Sequence, residues 1–205
     1  MRIGILALQG AVQDHEKVLS RLGVDHSQVR LPADLEGLDG MILPGGESTV
    51  MAMYLREYKL DEALRQFAAK GGALFGLCAG AIILCSEVDG AAGRTKGALG
   101  LIDARATRNA YGRQLASFED KIDIAIDDFS GFFPGIFIRA PRLEPLGATE
   151  IVGRRRQAGG GEAVLLRQGK ILAASFHPEL SGDDRLHKYF LYLAADGKPG
   201  SGSNV

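Results

Sequence analysis

The stretch ALFGLCAGAIIL (Ala73–Leu84) places one thiol between two glycines inside an otherwise apolar run. Its first five residues have the length of a buried strand, and the residues from Ala79 onward can form a helix. Gly-x-Cys-x-Gly between a strand and a helix is typical of a nucleophile elbow, a tight turn that exposes a strained nucleophile at its apex. Gly76 and Gly80 fit crowded backbone positions, where a Cβ would collide. The following helix N-terminus also favours a thiolate. We therefore interpret Cys78 as a candidate nucleophile.

The competing interpretation is that the thiol is only packing. A free cysteine behaves as a small hydrophobic side chain, and a lone one in an apolar run more often packs than reacts. Cys85, seven residues later and without flanking glycines, fits that interpretation.

Composition limits the class of protein. The chain has 205 residues, of which 46% are hydrophobic and 24% are charged, and this suits one globular domain with a sizeable core. Its 24 Lys and Arg balance 25 Asp and Glu, so the overall charge gives no case for nucleic acid or an anionic membrane as a partner. No apolar run reaches the roughly 18 residues that span a bilayer. We therefore expect a soluble protein.

Cysteine usage and the N-terminus indicate a compartment. Two cysteines cannot form a disulfide framework, and residues Met1–Ile5 enter a strand-like pattern with no signal peptide ahead of it. These features predict the reducing cytoplasm.

Strand and helix patterns alternate through the first half of the chain. The predicted strands and the helices that follow them are Ile3–Leu8 with a helix over Val12–Leu22, Gly40–Leu43 with helical stretches over Val50–Lys70, and Ala73–Leu77 with a helix over Ala79–Val88. Such alternation predicts an α/β fold, a single-domain three-layer sandwich whose mostly parallel sheet carries helices on both faces.

The second half predicts antiparallel additions to that sheet. Its strand candidates are closely spaced: Ile122–Ile126, Gly135–Ile138, Glu150–Arg155, Ala163–Arg167 and Ile171–Ser175. We interpret Gly153–Gly161 as a solvated hairpin or loop and expect a last helix over Asp183–Ala194. The domain is predicted to cover residues 1–196, with a disordered tail over 197–205.

Ligands of open parallel sheets bind at the carboxyl ends of the strands, and three segments are predicted there: Pro44–Thr49, the Cys78 turn and Ser175–Leu180. A thiol attacks best when a base removes its proton and a third group orients that base. His177 and Glu179 suit these two roles.

The remaining histidines, His15, His26 and His187, are expected to be structural or surface residues, with His187 solvated on the last helix.

With these residues assembled, the chain resembles the class I, triad-type glutamine amidotransferases. Five segments narrow the resemblance to the glutaminase subunits of the two-protein pyridoxal 5′-phosphate synthase, and they occur in register over residues 2–195. They are LALQGAVQDH (Leu6–His15), LPGGESTVM (Leu43–Met51), RNAYGRQ (Arg108–Gln114), FIRAP (Phe137–Pro141) and SFHPEL (Ser175–Leu180).

The resemblance implies a role for each residue of the predicted active site. Cys78 would form a γ-glutamyl thioester, His177 would act as base and then as acid, and Glu179 would orient His177. Backbone N–H groups of Gly46 and Ala79 would form the oxyanion hole, since aimed backbone donors need no reorganisation.

The resemblance also implies a glutamine site and a partner. The glutamine-binding positions would be Gly46, Glu47, Ser48, Arg108, Ile138 and Arg139. For the two arginines, a surface ion pair is the competing interpretation.

The ammonia would pass within a hetero-oligomer to a barrel-type synthase subunit that makes pyridoxal 5′-phosphate. No metal and no cofactor are expected, because the nucleophile is a side chain and no cluster has ligand spacing.

Three alternatives stay open from the sequence. The chain could be a scaffold subunit that keeps the fold without hydrolysing anything, although a complete Cys, His and Glu set argues against this. It could be a cysteine hydrolase or chaperone-like relative, but those commonly carry His after the cysteine, where this chain has Ala79. It could also serve another pathway, such as anthranilate or imidazole formation.

Overall fold

Two sheets organise the computed structural model, which describes residues 1–90, 93–111, 117–156 and 161–195. The strands are, in chain order, β1 (Arg2–Leu6), β2 (Asp25–Val29), β3 (Gly40–Leu43), β4 (Ala73–Leu77), β5 (Cys85–Gly90), β6 (Gly93–Lys96), β7 (Ile102–Thr107), β8 (Ser117–Ile124), β9 (Gly131–Ile138), β10 (Arg142–Pro145), β11 (Glu150–Arg155), β12 (Glu162–Gln168) and β13 (Ile171–Ala174). The α-helices are α1 (Val12–Arg21), α2 (Ser48–Glu57), α3 (Leu60–Ala69), α4 (Ala79–Leu84) and α5 (Arg185–Ala194).

Within those residues the large sheet has the strand order β2-β1-β3-β4-β13-β12-β11-β8-β9. Its first five strands are parallel to one another, and the remaining four add in antiparallel pairs. The predicted parallel sheet with antiparallel additions is therefore confirmed.

Helices cover both faces of the parallel half because its strands are apolar on both sides. In β3, Ile42 packs into the cluster that contains Leu19 of α1 and Phe190 of α5, whereas Met41 packs with Leu55 of α2. Successive strand residues point to opposite faces, so one short apolar strand contributes to both layers. The three-layer arrangement follows from this alternation.

A second, four-stranded sheet with the order β10-β7-β5-β6 was not predicted. The helix expected over Ala79–Val88 ends at Leu84, and the chain from Cys85 continues as β5, which pairs with β6 and β7. Cys85 has extended backbone angles of φ −62° and ψ 147°. Pairing with distant strands overrides local helix preference here, so the sequence window alone gave the wrong element.

Other differences are smaller. The predicted helical stretches over residues 50–70 begin two residues earlier, at Ser48, and form two helices separated at Lys59, whose φ is +57°. The strand β2 was not predicted. The proposed domain end at 196 and tail over 197–205 lie outside the described residues, as do positions 157–160 of the predicted Gly153–Gly161 loop. In the described part of the chain, no helix is long and apolar enough to cross a membrane.

The strand register brings three candidate segments to one edge. Leu43 at the end of β3 lies beside Gly76 of β4, and Ala174 at the end of β13 lies beside Leu77 of β4. The loop after β3, the turn after β4 and the loop after β13 therefore emerge side by side at the carboxyl edge, where α/β sheets bind ligands.

Candidate active site

The turn at Cys78 has the geometry of a nucleophile elbow. Cys78 has φ +50° and ψ −102°, a conformation that a non-glycine residue rarely adopts. Its backbone N–H donates to the carbonyl of Ala174 at 2.8 Å, and this bond ties the turn to β13. Cys78 as a residue is 7% exposed, and its Sγ lies 3.7 Å from the carbonyl oxygen of Ile138.

The two flanking glycines are required by crowding. A Cβ at Gly80 would lie 2.0 Å from the carbonyl oxygen of Leu43, and one at Gly76 would lie 2.6 Å from the carbonyl oxygen of Gly80. Both obstacles are backbone atoms, which cannot rotate away. The turn can therefore close only with glycine at both positions.

His177 and Glu179 form a buried pair beside the thiol. The Nδ1 of His177 lies 2.7 Å from Oε1 of Glu179, and the two residues are 7% and 8% exposed. A 3-10 turn over Pro178–Leu180 directs both side chains inward, and the His177 N–H donates to the carbonyl of Ile136 at 2.8 Å. The carboxylate accepts from Nδ1, which leaves Nε2 as the ring nitrogen that can serve the sulfur.

The protonation of this pair follows from its surroundings. Burial lowers the pKa of His177, but its interactions with Cys78 and Glu179 outweigh burial and raise that pKa to about 10. For Glu179, burial raises the pKa, while His177 and then His15 lower it further than burial raises it. At neutral pH the site therefore holds a carboxylate that orients an imidazole able to carry a proton.

The loop after β3 lies against both the imidazole and the start of α1. A Cβ at Gly45 would lie 2.4 Å from Cε1 of His177, and one at Gly46 would lie 2.4 Å from Nε2 of Gln9. The N–H of Ala11 donates to the carbonyl of Gly45 at 3.3 Å, and Nε2 of Gln9 donates to the carbonyl of Glu47 at 3.1 Å. The loop is thus held between the base and α1.

A cavity of about 140 Å³ opens above the thiol. The predicted residues that line it are Gly46, Glu47, Ser48, Cys78, Ala79, Arg108, Ile138, Arg139 and His177. Glu179 lies behind His177 and does not reach this surface. The structure therefore gathers all the predicted site residues in and behind one pocket.

Both arginines of the pocket contact other parts of its wall. Nη1 of Arg139 lies 3.5 Å from Oε1 of Glu47, and both side chains are exposed. The guanidinium of Arg108 packs on Gly90 so closely that a Cβ there would lie 2.5 Å from Nη2. Asn109 completes this part of the wall. The pocket therefore presents two cations and one carboxylate near a nucleophile.

Sequence reasoning missed two lining residues, Ile82 and Asn109. Asn109 has φ +52° and Arg139 has φ +45°, so three non-glycine residues with positive φ, counting Cys78, meet at this pocket. Backbone strain of this kind concentrates at functional sites. The segment RNAYGRQ that contains Asn109 was a recognisable signal, although its residues 112–114 lie outside the described part.

The expectation of a solvated His187 was wrong. His187 and His15 are both 0% exposed, and His15 Nε2 lies 3.8 Å from Oε1 of Glu179. The polar sequence around His187 concealed its position on the buried stripe of α5, which also contains Leu186 and Phe190.

Among the described residues, no group of three or more His, Cys, Asp or Glu could hold a metal ion.

Comparison with known proteins gives one consistent family. The model of the SNO glutamine amidotransferase family matches residues 5–195. A Thermus thermophilus protein named pyridoxal 5′-phosphate synthase subunit PdxT is 48% identical over 194 residues, which cover 94% of this chain and 97% of that protein. A Deinococcus radiodurans protein of the same name is 48% identical over 198 residues, covering 96% and 98%.

Solved structures agree with this family. A crystal structure of a glutamine amidotransferase superposes with a TM-score of 0.85 at 45% sequence identity, covering 94% of this chain and 98% of the other. The structure of PurLQS from Thermotoga maritima superposes with a TM-score of 0.73 at 18% identity, covering 96% and 99%. The second likeness shows the fold alone.

The two cysteines are expected to differ in reactivity. Cys78 opens to the pocket, whereas Cys85 is 0% exposed and its pKa is raised to about 12 by burial. We expect stoichiometric iodoacetamide at pH 8 to alkylate Cys78 at least about tenfold faster than Cys85, as followed by peptide mass spectrometry. The Cys78→Ala variant provides the control, and equal labelling of both thiols would contradict the assignment.

Proposed function

The chain belongs to the SNO glutamine amidotransferase family, and we propose that it is the glutaminase subunit of a pyridoxal 5′-phosphate synthase. In this role it hydrolyses L-glutamine to L-glutamate and ammonia. The observation that carries the proposal is the meeting of a strained thiol, a carboxylate-held imidazole and a glycine loop at one pocket, in a chain nearly half identical to named subunits of this kind.

The first half of the reaction is acyl transfer to sulfur. The Cys78 thiolate attacks the side-chain amide carbon of glutamine, and the carbonyl electrons move to oxygen. Backbone N–H groups of Gly46 and Ala79 are the proposed donors to that oxyanion; Ala79 is the first residue of α4, where N–H groups have no acceptor within the helix. His177 gives its proton to the nitrogen, and ammonia leaves as the γ-glutamyl thioester forms.

The second half releases glutamate by the same groups. Water loses a proton to His177 and attacks the thioester carbon, the C–S bond breaks, and Cys78 leaves as a thiolate beside the protonated ring. The elevated pKa of His177, about 10, suits the first half because the ring beside Cys78 and Glu179 then holds, at neutral pH, the proton that the leaving ammonia takes. Glu179 orients the ring through Nδ1.

Glutamine offers an α-carboxylate and an α-ammonium group, and the pocket offers complementary charges. We assign the α-carboxylate to Arg108 or Arg139 and the α-ammonium to Glu47, whose carboxylate lies 3.5 Å from Arg139. Ser48 and the carbonyl of Ile138 supply further polar contacts along the wall.

The proposed partner receives the ammonia. In water at neutral pH ammonia becomes ammonium and loses its nucleophilic lone pair, so transfer within a complex protects the product. We propose a barrel-type synthase subunit that joins this nitrogen to a pentose phosphate and a triose phosphate. Both cysteines of the chain are free thiols, in keeping with a reducing cytoplasm.

The contacts of the loop after β3 provide a way for a partner subunit to control glutamine hydrolysis. The carbonyls of Gly45 and Glu47 accept from Ala11 and Gln9, which lie within the three residues before α1. A subunit docked on this segment would therefore shift the loop that carries the proposed oxyanion donor. The meeting of Cys78, His177 and Glu179 at one pocket argues against the scaffold alternative. An amidotransferase subunit of another pathway would show the same hydrolysis.

The triad assignment gives the main test. We expect Cys78→Ala and His177→Asn each to lower kcat for glutamine hydrolysis by about 1,000-fold or more, with Glu179→Gln less severe because only orientation is lost. Cys85→Ala is the matched control and should keep wild-type kcat. Glutamate release is measured in a coupled assay, with circular dichroism to verify folding. Similar losses in both cysteine variants would refute the assignment.

The arginines are expected to act mainly in binding. Loss of a charged hydrogen bond in Arg108→Ala or Arg139→Ala should raise KM for glutamine about tenfold while kcat changes less. Arg2→Ala, which removes a half-exposed arginine at the opposite edge of the sheet, is the control. A loss confined to kcat would argue against a role in ground-state binding.

Gating is tested by adding the synthase subunit at saturating glutamine. We expect the isolated chain to be weakly active and the subunit to raise its rate several-fold. Gly46→Ala, and Gly10→Ala, whose Cβ would lie 2.0 Å from the carbonyl oxygen of Gly45, should suppress that increase. Gly23→Ala is the control, since Gly23 also has positive φ but nothing within 4 Å of its Cβ position. Equal rates with and without the subunit would refute gating.

A further inference from the structure

Two buried histidines outside the triad lie behind its carboxylate. His15, in the first half of α1, places Nε2 3.8 Å from Oε1 of Glu179, the same oxygen that lies 2.7 Å from His177 Nδ1. Its other ring nitrogen, Nδ1, lies 3.3 Å from Nε2 of His187 on α5. The three histidines and the carboxylate thus form one continuous buried chain that ends at Cys78.

Both additional rings are held in place by packing. The ring of His187 meets the ring of Phe75 edge-on, with centroids 5.9 Å apart and planes at 69°. Phe75 belongs to β4, three residues before the nucleophile. An ion pair between Arg21 and Asp184 joins the end of α1 to the residue before α5. The two rings therefore have fixed positions relative to the triad.

Each of these two rings carries a single proton at neutral pH. Burial lowers the pKa of His15, despite the opposing attraction of Glu179, and burial together with His15 lowers the pKa of His187 to about 3. A neutral imidazole has one N–H and one lone pair. The direction of each contact among these side chains therefore depends only on which ring nitrogen of His15 and of His187 carries the proton.

The two choices differ in what His15 presents to the carboxylate. If His15 carries its proton on Nε2, that N–H faces the carboxylate from 3.8 Å and Nδ1 accepts from His187 Nε2–H. His15 Nε2 and the His187 Nδ1 lone pair then have no partner within hydrogen-bond distance. The opposite choice would point the His15 lone pair at the Glu179 carboxylate and bury an N–H of His187 without an acceptor. Each choice leaves one buried N–H without an acceptor at hydrogen-bond distance, so the carboxylate decides between them. Its negative charge attracts an N–H dipole and repels a lone pair, and the first arrangement is therefore preferred.

We propose that His15 is a positioning residue for the triad: its Nε2–H is directed at Glu179 Oε1, and His187 fixes the tautomer that makes this contact. The kinetic part of this proposal rests on the proposed glutaminase function. At 3.8 Å the contact is an attraction between the N–H dipole and the carboxylate charge, beyond hydrogen-bond length.

The proposed effect is to keep Glu179 ionised and pointed at His177. A buried carboxylate is unfavourable unless donors surround it, and the Oε2 of Glu179 has no hydrogen-bond partner among the described residues. The His15 N–H therefore adds to the hydrogen bond from His177 in favouring the anion at this position. Without it, the carboxyl group can bind a proton or turn away from Nδ1 of His177.

The tautomers are measured directly by nitrogen-15 NMR of the full chain labelled at histidine. The chain has four histidines, so single substitutions assign each ring. We expect His15 and His187 to be neutral and protonated on Nε2. We also expect the His177 Nδ1–H proton signal to move in His15→Leu and to stay in His26→Leu, whose ring contacts the Val24 carbonyl instead. Protonation of His15 on Nδ1 would overturn the proposal.

Kinetics separate positioning from mere packing. His15→Leu fills similar space without a donor, and His15→Gln restores an N–H near the former Nε2. We expect His15→Leu to lower kcat at least about tenfold with KM within about twofold, and His15→Gln to recover most of the loss. Equal losses in both variants, or wild-type kcat in His15→Leu, would overturn the proposal. A parent chain that is inactive both alone and with the synthase subunit would refute only the glutaminase function, because the NMR signals need no substrate.

Discussion

The strained backbone of Cys78 is the constraint on which the rest of the site depends. A non-glycine residue at φ +50° costs on the order of 1–3 kcal/mol, and neighbouring structure must hold it there. The bond from Cys78 N–H to Ala174 and the contact of Gly80 with the Leu43 carbonyl supply that support from the strands on either side. The parallel register of three central strands therefore fixes where the sulfur lies.

Burial determines the electrostatics behind the sulfur. A carboxylate and an imidazole removed from water interact more strongly than they would at the surface, and Glu179 and His177 lie within 2.7 Å of each other in this setting. The same burial makes the rings of His15 and His187 neutral. One low-polarity compartment thus holds a charged pair next to two uncharged rings. For His177 and Glu179 their interactions outweigh desolvation, whereas for His15 the attraction of Glu179 does not.

Helix α1 connects the two parts of the proposed mechanism. The residues just before it bond to the loop that carries the proposed oxyanion donor, and His15 within it approaches the triad carboxylate. A partner that docks on this helix would therefore act on two groups through one rigid element. These are the loop that carries the proposed oxyanion donor and the triad carboxylate. This arrangement offers a physical basis for coupling ammonia production to the presence of the subunit that uses it.

The sequence by itself determined the parallel core and the identity of the candidate triad, because short apolar runs, paired glycines around Cys78 and the His177-Pro-Glu segment are local patterns. Tertiary structure alone decided what depends on distant partners. Cys85 begins a strand because β7 offers it pairing, and His187 is buried because α5 packs against Phe75. His15 and Glu179 are 164 positions apart in the sequence, and their contact depends on how α1 packs on the sheet. A local sequence pattern therefore cannot predict it.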